Sequence, residues 1–128
     1  MNSDIKVLVV DDEGDFREVM AVWLKSKGYS VITAPDGRSA IDLVKSEKPN
    51  IIFMDLRMPL MDGSATLKKI RSFDKNIPVI MISAYVSDPK IREVQELNVS
   101  GIFLKTDDFE KGLSLLESVL RTHKKLKR

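Results

Sequence analysis

A carboxylate directly follows a short apolar run in the middle of the sequence. Residues 51–54 are all apolar, Asp55 comes next, and Pro59 and the pair Asp62-Gly63 follow in a segment rich in turn residues. An apolar run this short, bounded by turn residues, predicts a strand buried on both faces, as in parallel sheets covered by helices. Asp55 is therefore expected at the carboxyl end of a buried strand, where open α/β sheets bind their ligands.

Three further apolar runs also end in polar residues, and these are either charged or carry a hydroxyl group. They are Asp11 and Asp12 after the run at 7–10, Ser83 after the run at 79–82, and Lys105 after the run at 102–104. Because the carboxyl ends of parallel strands lie at one edge of the sheet, we expect these side chains to converge on Asp55.

Carboxylates gathered in one pocket repel each other and therefore need a cation. Two unit charges about 4 Å apart interact by roughly 4 kcal/mol at an effective dielectric constant near 20. Oxygen ligands alone favour Mg²⁺, which typically takes one or two carboxylates together with water and phosphate oxygens. Together with Mg²⁺, the lysine and the hydroxyl are the groups that stabilise a transferring phosphoryl group. The pattern predicts that Asp55 is a nucleophile that forms an acyl phosphate.

Each of these residues, taken alone, also has a purely structural interpretation. Asp11 and Asp12 suit a helix cap, and Asp55 suits a turn. Ser83 and Lys105 are ordinary residues for exposed loops. The combination favours a reaction site, because the polar residues all stand at strand ends, in the order acid pair, acid, hydroxyl, lysine.

Composition excludes several other classes of site and leaves one domain as the expected organisation. The chain has 128 residues, which suits a single hydrophobic core. It contains no cysteine, so disulfides and thiolate metal sites are excluded. Its one histidine, His123, stands among lysines near the C-terminus, which excludes a zinc site with several histidines. A net charge of +2 is too small to indicate nucleic-acid binding, and direct binding of nucleic acid is not expected.

The apolar segments are too short for a membrane protein. No run approaches the roughly 18 apolar residues of a membrane span, so no membrane association is expected. Residues 1–4 show no signal peptide, since a short apolar strand and then acidic residues follow at once. A cytoplasmic location is the expectation.

Apolar periodicity predicts five strands alternating with five helices. The strands are expected at 6–10, 30–34, 50–54, 78–82 and 101–104. Asp15 and Ser64 are expected to cap the first and third helices. This alternation predicts a parallel sheet with helices on both faces, although the order of the strands does not follow from the pattern alone.

Three segments resemble the receiver domain of two-component response regulators. They are VLVVDDE at 7–13, MDLRMPLMDG at 54–63 and ISA at 82–84. The resemblance extends from about Lys6 to Leu120. It implies an α/β, flavodoxin-like, doubly wound five-stranded parallel sheet of strand order 2-1-3-4-5 with five helices. Residues 1–122 would form the receiver domain, and 123–128 a basic C-terminal tail or linker stub.

The resemblance also implies a role for each site residue. Asp55 would accept the phosphoryl group from a sensor histidine kinase or a histidine phosphotransfer protein. Asp12 and Asp55 would bind Mg²⁺ through their side chains, and Asp11 largely through water. The backbone carbonyl of Arg57 would complete the metal ligands from the protein. Contacts to the phosphoryl oxygens would come from Ser83 and Lys105.

The family passes the signal on through a surface and is not a class of enzymes in the ordinary sense. Phosphorylation would repack the face made by the fourth helix, fifth strand and fifth helix, which acts on an output domain or protein and allows a homodimer. Two residues depart from the family pattern. Thr106 replaces the usual proline, and Ile102 replaces the usual aromatic switch residue, with Phe103 expected on the opposite face. Ile102 predicts a weaker or different switch on that face.

Three alternative functions differ in what the sequence must contain. A pseudo-receiver, which binds proteins without taking phosphate, typically lacks an acid or the lysine, whereas this chain has them all. A phosphatase of the haloacid dehalogenase type needs a second aspartate two residues after the nucleophile, and Arg57 stands there. Nucleotide-binding proteins need a glycine-rich phosphate loop, and neither common pattern occurs.

Overall fold

Five strands and five helices alternate along the computed structural model, which describes residues 4–123. The strands are β1 (Lys6–Val10), β2 (Ser30–Ala34), β3 (Ile51–Asp55), β4 (Val79–Ser83) and β5 (Gly101–Leu104). The helices are α1 (Gly14–Ser26), α2 (Gly37–Glu47), α3 (Gly63–Arg71), α4 (Lys90–Gln95) and α5 (Phe109–Thr122). Of the tail expected at 123–128, only His123 lies within the described residues.

The five strands form one parallel sheet in the order β2-β1-β3-β4-β5, as the sequence predicted. The chain runs from β1 outward to β2 and then returns past β1 to β3, so the direction of winding reverses between β1 and β3. Ligands of open α/β sheets bind at such a reversal, beside the carboxyl ends of the strands. Val10 of β1 pairs with Met54 of β3, which brings Asp11 and Asp55 to the same level at this edge.

Two apolar cores lie on opposite faces of the sheet. Every residue of β3 and β4 is buried, because both of these inner strands are covered by helices on both sides. Helices α2, α3 and α4 cover one core, and α1 and α5 cover the other. Ile102 packs in the first core and Phe103 in the second, which confirms that their side chains point to opposite faces. None of the helices within residues 4–123 is both long and apolar enough to cross a membrane.

The predicted caps of α1 and α3 were wrong. Glu13 stands at the N-cap of α1 without a side-chain cap bond, and Asp15 lies inside the first helical turn. The chain enters α1 two residues earlier than predicted, and the Asp11 carboxylate fixes this start by accepting a 2.9 Å hydrogen bond from the Glu13 amide. Asp62 caps α3 by accepting a bond from the amide of Ala65, so the helix starts before Ser64. An aspartate caps well, because its carboxylate accepts from free amides and favours the positive end of the helix dipole.

Gly63 lets α3 begin directly against the end of β3. A Cβ atom at this position would lie 2.4 Å from the carbonyl oxygen of Asp55 and 2.9 Å from the Cα of Leu56. The amide of Gly63 donates a 2.9 Å hydrogen bond to the carbonyl of Leu56. Any side chain here would therefore displace the backbone that carries Asp55.

We expect Gly63→Ala to lower the free energy of unfolding by about 1–3 kcal/mol, since the added methyl group meets backbone atoms that cannot move aside alone. Gly14→Ala is the matched control, because its Cβ would meet only the flexible end of Arg17 at 3.6 Å. The control should leave the free energy of unfolding unchanged or raise it by up to about 1 kcal/mol, because its methyl group meets no backbone and alanine favours a helix over glycine. Urea unfolding followed by circular dichroism measures both variants, and equal losses would contradict this account.

Candidate functional site

An open cleft of about 560 Å³ lies at the carboxyl edge of the sheet. The loops that follow β1, β3, β4 and β5 all contribute residues to its walls. These include Asp12, Asp55, Arg57, Tyr85, Asp88 and Lys105. The sequence predicted that the ends of these four strands would share one site, and the structure brings them to one cavity.

Three carboxylates meet at the base of this cleft. Asp11 is fully buried and Asp55 is 4% exposed, whereas Asp12 is exposed to solvent. One carboxylate oxygen from each of these residues lies within 4.8 Å of the others. The pairing of β1 with β3 accounts for the closeness of Asp11 and Asp55, because Asp11 directly follows the last residue of β1 and Asp55 is the last residue of β3.

The ammonium group of Lys105 is the cation within this cluster. Its Nζ atom lies 3.1 Å from Oδ2 of Asp11 and 3.3 Å from Oδ2 of Asp55, and it also bonds Glu13. The ring of Phe16 lies beneath it, 4.9 Å from the nitrogen, and adds a cation–π contact. Burial lowers the pKa of Lys105, but the carboxylates of Glu13, Asp55 and Asp11 outweigh burial and raise it above its ordinary value. This lysine is therefore charged at physiological pH.

Asp55 carries an unusual protonation equilibrium. Burial, and after it repulsion from Asp11, raise the pKa of Asp55 to about 7, against the opposing effects of Lys105 and of the Arg57 amide. The amide of Arg57 donates a 3.2 Å hydrogen bond to Oδ1 of Asp55. One ammonium group thus does not fully balance the buried negative charge.

The donor set fits a hard divalent cation. Oδ2 of Asp11 is buried, and no donor among the described residues is aligned to hydrogen-bond it, although Lys105 lies within ion-pair distance. The three aspartates offer only oxygen atoms as ligands, and such ligands suit Mg²⁺ better than a softer metal. Asp11, Asp12 and Asp55 could hold such an ion. A ligand role for the backbone carbonyl of Arg57 stays a prediction.

Ser83 stands at the same edge, but its hydroxyl is bonded within its own loop. The side chain is 1% exposed, donates a 2.7 Å hydrogen bond to the carbonyl of Tyr85 and accepts a bond from the Tyr85 amide. Its backbone carbonyl accepts a 2.8 Å bond from the amide of Lys105, which keeps β5 in register beside β4. The structure therefore places Ser83 near the site, with its hydroxyl directed at the β4–α4 loop.

Two interactions at the cleft were not predicted from the sequence. The carboxylate of Glu13 binds the ammonium of Lys105, whereas the sequence indicated no role for Glu13 beyond its place in the segment 7–13. Arg57 forms two hydrogen bonds with Asp88, of 2.9 and 2.7 Å, and lowers the pKa of that carboxyl below its ordinary value. The adjacency of Glu13 to two acids was a usable signal. Arg57 and Asp88 are 31 residues apart, and no local pattern connects them.

Comparisons with known proteins agree with this geometry. Residues 7–117 match the family model described as the response regulator receiver domain. The chain is 34% identical to sporulation initiation phosphotransferase F of Bacillus subtilis over 105 residues, which cover 82% of this chain and 85% of that protein. It is 38% identical over 104 residues, 81% of this chain, to the probable transcriptional regulator ycf27 of Galdieria sulphuraria. The match spans only 38% of that longer protein.

Solved structures show the same architecture. Chemotaxis protein CheY4 of Vibrio cholerae superposes with a TM-score of 0.84 at 33% identity, covering 91% of this chain and 98% of that chain. CheY from Borrelia burgdorferi, in a complex with CheX, BeF3 and Mg²⁺, gives the same TM-score and identity over 91% of this chain and 89% of the other. The flavodoxin-like fold predicted from the sequence is therefore confirmed.

We expect the stability advantage of Asp55→Asn over the wild type to grow by about 2 kcal/mol between pH 5.5 and pH 8, in EDTA. Between its ordinary pKa of 3.8 and its folded value of about 7, Asp55 binds a proton only in the folded protein. Wild-type stability therefore falls as pH rises through this window and levels off above pH 7, whereas asparagine stays neutral throughout.

Urea unfolding of both proteins at the two pH values measures this difference. Saturating Mg²⁺ should shrink it at pH 8, because a cation stabilises the charged carboxylate. A stability difference that is the same at both pH values would show that Asp55 does not carry the raised pKa.

Proposed function

This chain belongs to the response regulator receiver family, and on that premise we propose that it accepts a phosphoryl group on Asp55 in two-component signalling. The observation that carries the proposal is the buried Asp55 carboxylate, with an ammonium group 3.3 Å away and two further carboxylates beside it. A carboxylate in these surroundings can act as a nucleophile whose product is held by fixed positive charge.

The chain's own residues provide the nucleophile of the proposed reaction and most of the groups that stabilise its product. An oxygen of Asp55 attacks the phosphorus of a phosphohistidine, the phosphorus–nitrogen bond breaks, and an acyl phosphate forms. The new group adds a charge of about −1.5 to −2. Lys105 offsets this charge, and the Arg57 amide keeps Asp55 oriented. Ser83 would exchange its bond to the Tyr85 carbonyl for one to a phosphoryl oxygen.

Asp11, Asp12, Asp55 and the backbone carbonyl of Arg57 are the proposed ligands of Mg²⁺. When bound, Mg²⁺ supplies positive charge that offsets the charge on the carboxylates and on the phosphoryl oxygens. The dependence of phosphorylation on Mg²⁺ is part of the proposal.

The proposed partners follow from the family. A sensor histidine kinase or a histidine phosphotransfer protein would donate the phosphoryl group, and an output domain or protein would read the changed surface. Since the chain spans only 38% of the length of the ycf27 regulator, the output mechanism of such longer proteins is not transferred to it. A homodimer through the α4–β5–α5 face and a cytoplasmic location stay predictions. We propose a phosphoacceptor and not an enzyme with an external substrate.

The pseudo-receiver is the competing function, and the site does not favour it. Such a protein would bind partners without ever taking phosphate. Here the three acids and the lysine are all present and lie together at the cleft. Phosphate incorporation distinguishes the two functions directly.

Incubation with acetyl phosphate and Mg²⁺ should add the mass of one phosphoryl group to the intact protein. We expect Asp55→Asn to abolish this addition, because an amide oxygen is a poor nucleophile and the charge at the cluster changes. Asp62→Asn is the matched control, since asparagine keeps the cap of α3 and should leave incorporation unchanged. Intact-mass spectrometry measures both, and phosphate on the Asp55→Asn protein would reject the assignment.

Mg²⁺ should raise the urea midpoint of the wild type, since an ion that binds only the folded state stabilises it. Asp12→Asn should need at least about tenfold more Mg²⁺ for the same gain, because it removes the charge of a ligand. Asp15→Asn removes the same charge from an exposed position in the first turn of α1 and should behave as the wild type does. A similar Mg²⁺ requirement in all three proteins would argue against a site at Asp12.

A further inference from the structure

Helix α4 is held to the domain by few apolar contacts. It has six residues, of which only Val94 is buried, and its N-cap residue, Pro89, makes no side-chain cap bond. Short helices with little buried apolar surface belong to the parts of a protein that open most easily. The position of α4 therefore depends strongly on the polar bonds that it makes with its neighbours.

These polar bonds form a seam between α4 and α3 with its preceding loop. Lys90 lies 3.3 Å from the carboxylate of Asp62, which caps α3. Glu93 accepts a 2.7 Å hydrogen bond from the hydroxyl of Ser64 and lies 3.3 Å from the ammonium of Lys68. The seam thus holds one face of α4 against α3.

The bond at the start of this seam joins Arg57 to Asp88. The guanidinium donates through Nε and one terminal nitrogen to the two oxygens of the Asp88 carboxylate, at 2.9 and 2.7 Å. Asp88 also initiates α4, because its side chain accepts from the Lys90 amide and its carbonyl accepts from the Ile91 amide. A change in the bonds of the Asp88 carboxylate therefore affects the first turn of α4.

Arg57 also connects this bond to the phosphoacceptor. Its amide donates to Oδ1 of Asp55, and its side chain lines the same cleft as Asp55. The guanidinium is more than half exposed, so it can move, whereas the Asp88 side chain is 7% exposed and held by the start of α4. A new negative charge on Asp55 would therefore attract the mobile partner of the pair.

We propose that the Arg57–Asp88 ion pair is a latch that holds α4 in the resting protein and opens when Asp55 carries a phosphoryl group. The guanidinium leaves a carboxylate of charge −1 for a group whose charge is about −1.5 to −2. Asp88 then loses both bonds to Arg57, and the first turn of α4 is released. This inference rests on the proposed function of Asp55.

The residues of β5 give a reason why the signal would leave by α4. Ile102 packs against the core covered by α2, α3 and α4 and has no ring whose rotation could report on the site. The neighbouring Phe103 points to the other face, where its ring contacts Phe53 and Phe109. The latch supplies a route that does not need an aromatic residue on β5.

Amide hydrogen exchange of residues 90–95, measured by NMR before and after treatment with acetyl phosphate and Mg²⁺, tests the latch. In the resting state, Asp88→Asn and Arg57→Gln should each speed exchange in α4 by roughly threefold to tenfold, because a bidentate charged pair is lost. Asparagine at 88 keeps an acceptor for the Lys90 amide. The double variant should match the single ones, since all remove the same pair.

Phosphorylation of the wild type should speed exchange in α4 to the level of these variants. Phosphorylation of the variants themselves should not speed exchange in α4 any further. Lys90→Gln is the matched control, because it loosens α4 by removing the ion pairs with Asp62 and Glu93 and leaves the bonds between Arg57 and Asp88 in place. This control should still respond to phosphate as the wild type does.

Intact-mass spectrometry of the same samples separates the two proposals. Phosphate on the wild type without faster exchange in α4 would overturn the latch and leave the proposed function standing. A full response to phosphate in Asp88→Asn or Arg57→Gln would also overturn the latch. If the wild type takes no phosphate, the proposed function fails and the latch fails with it.

Discussion

Repulsion between buried carboxylates, offset by one ammonium group, is the interaction on which the site depends. Asp11 and Asp55 are both almost inaccessible to solvent, and Lys105 lies within 3.3 Å of each of them. The balance is incomplete, since the pKa of Asp55 is raised to about 7 by burial and by Asp11. A site with unbalanced negative charge binds a cation readily, and the gain of a phosphoryl group changes that balance sharply.

The sheet maintains this arrangement because it is held by a different kind of force. Strands β3 and β4 are buried throughout, and the backbone of α3 touches the end of β3 at Gly63. Apolar packing therefore fixes the acids at the carboxyl edge despite their repulsion. By contrast, α4 buries only Val94, and charged side chains join it to α3 and the loop before α3. A change of charge at the cleft can move α4 while the sheet that carries Asp55 stays in place.

Most of the fold could be predicted from the sequence, because burial leaves a local pattern. Short apolar runs predicted all five strands to within one residue at each end, and their alternation with helices predicted a parallel sheet. The caps were harder. Asp15 and Ser64 were chosen on residue type alone, whereas Asp11 and Asp62 determine where α1 and α3 begin. Several residues near a helix start can accept the same amides, and only the backbone path selects among them.

The sequence by itself determined which residues stand at the strand ends, and so which acids and which lysine face the cleft. Strand ends are local features, and parallel strands bring them to one edge. Only the tertiary structure decided what each polar group binds. Ser83 bonds to its own loop, and Arg57 pairs with Asp88 from 31 residues away. The partner of a charged or hydroxyl group depends on competing distances and burial in three dimensions, and these leave no periodic mark along a chain.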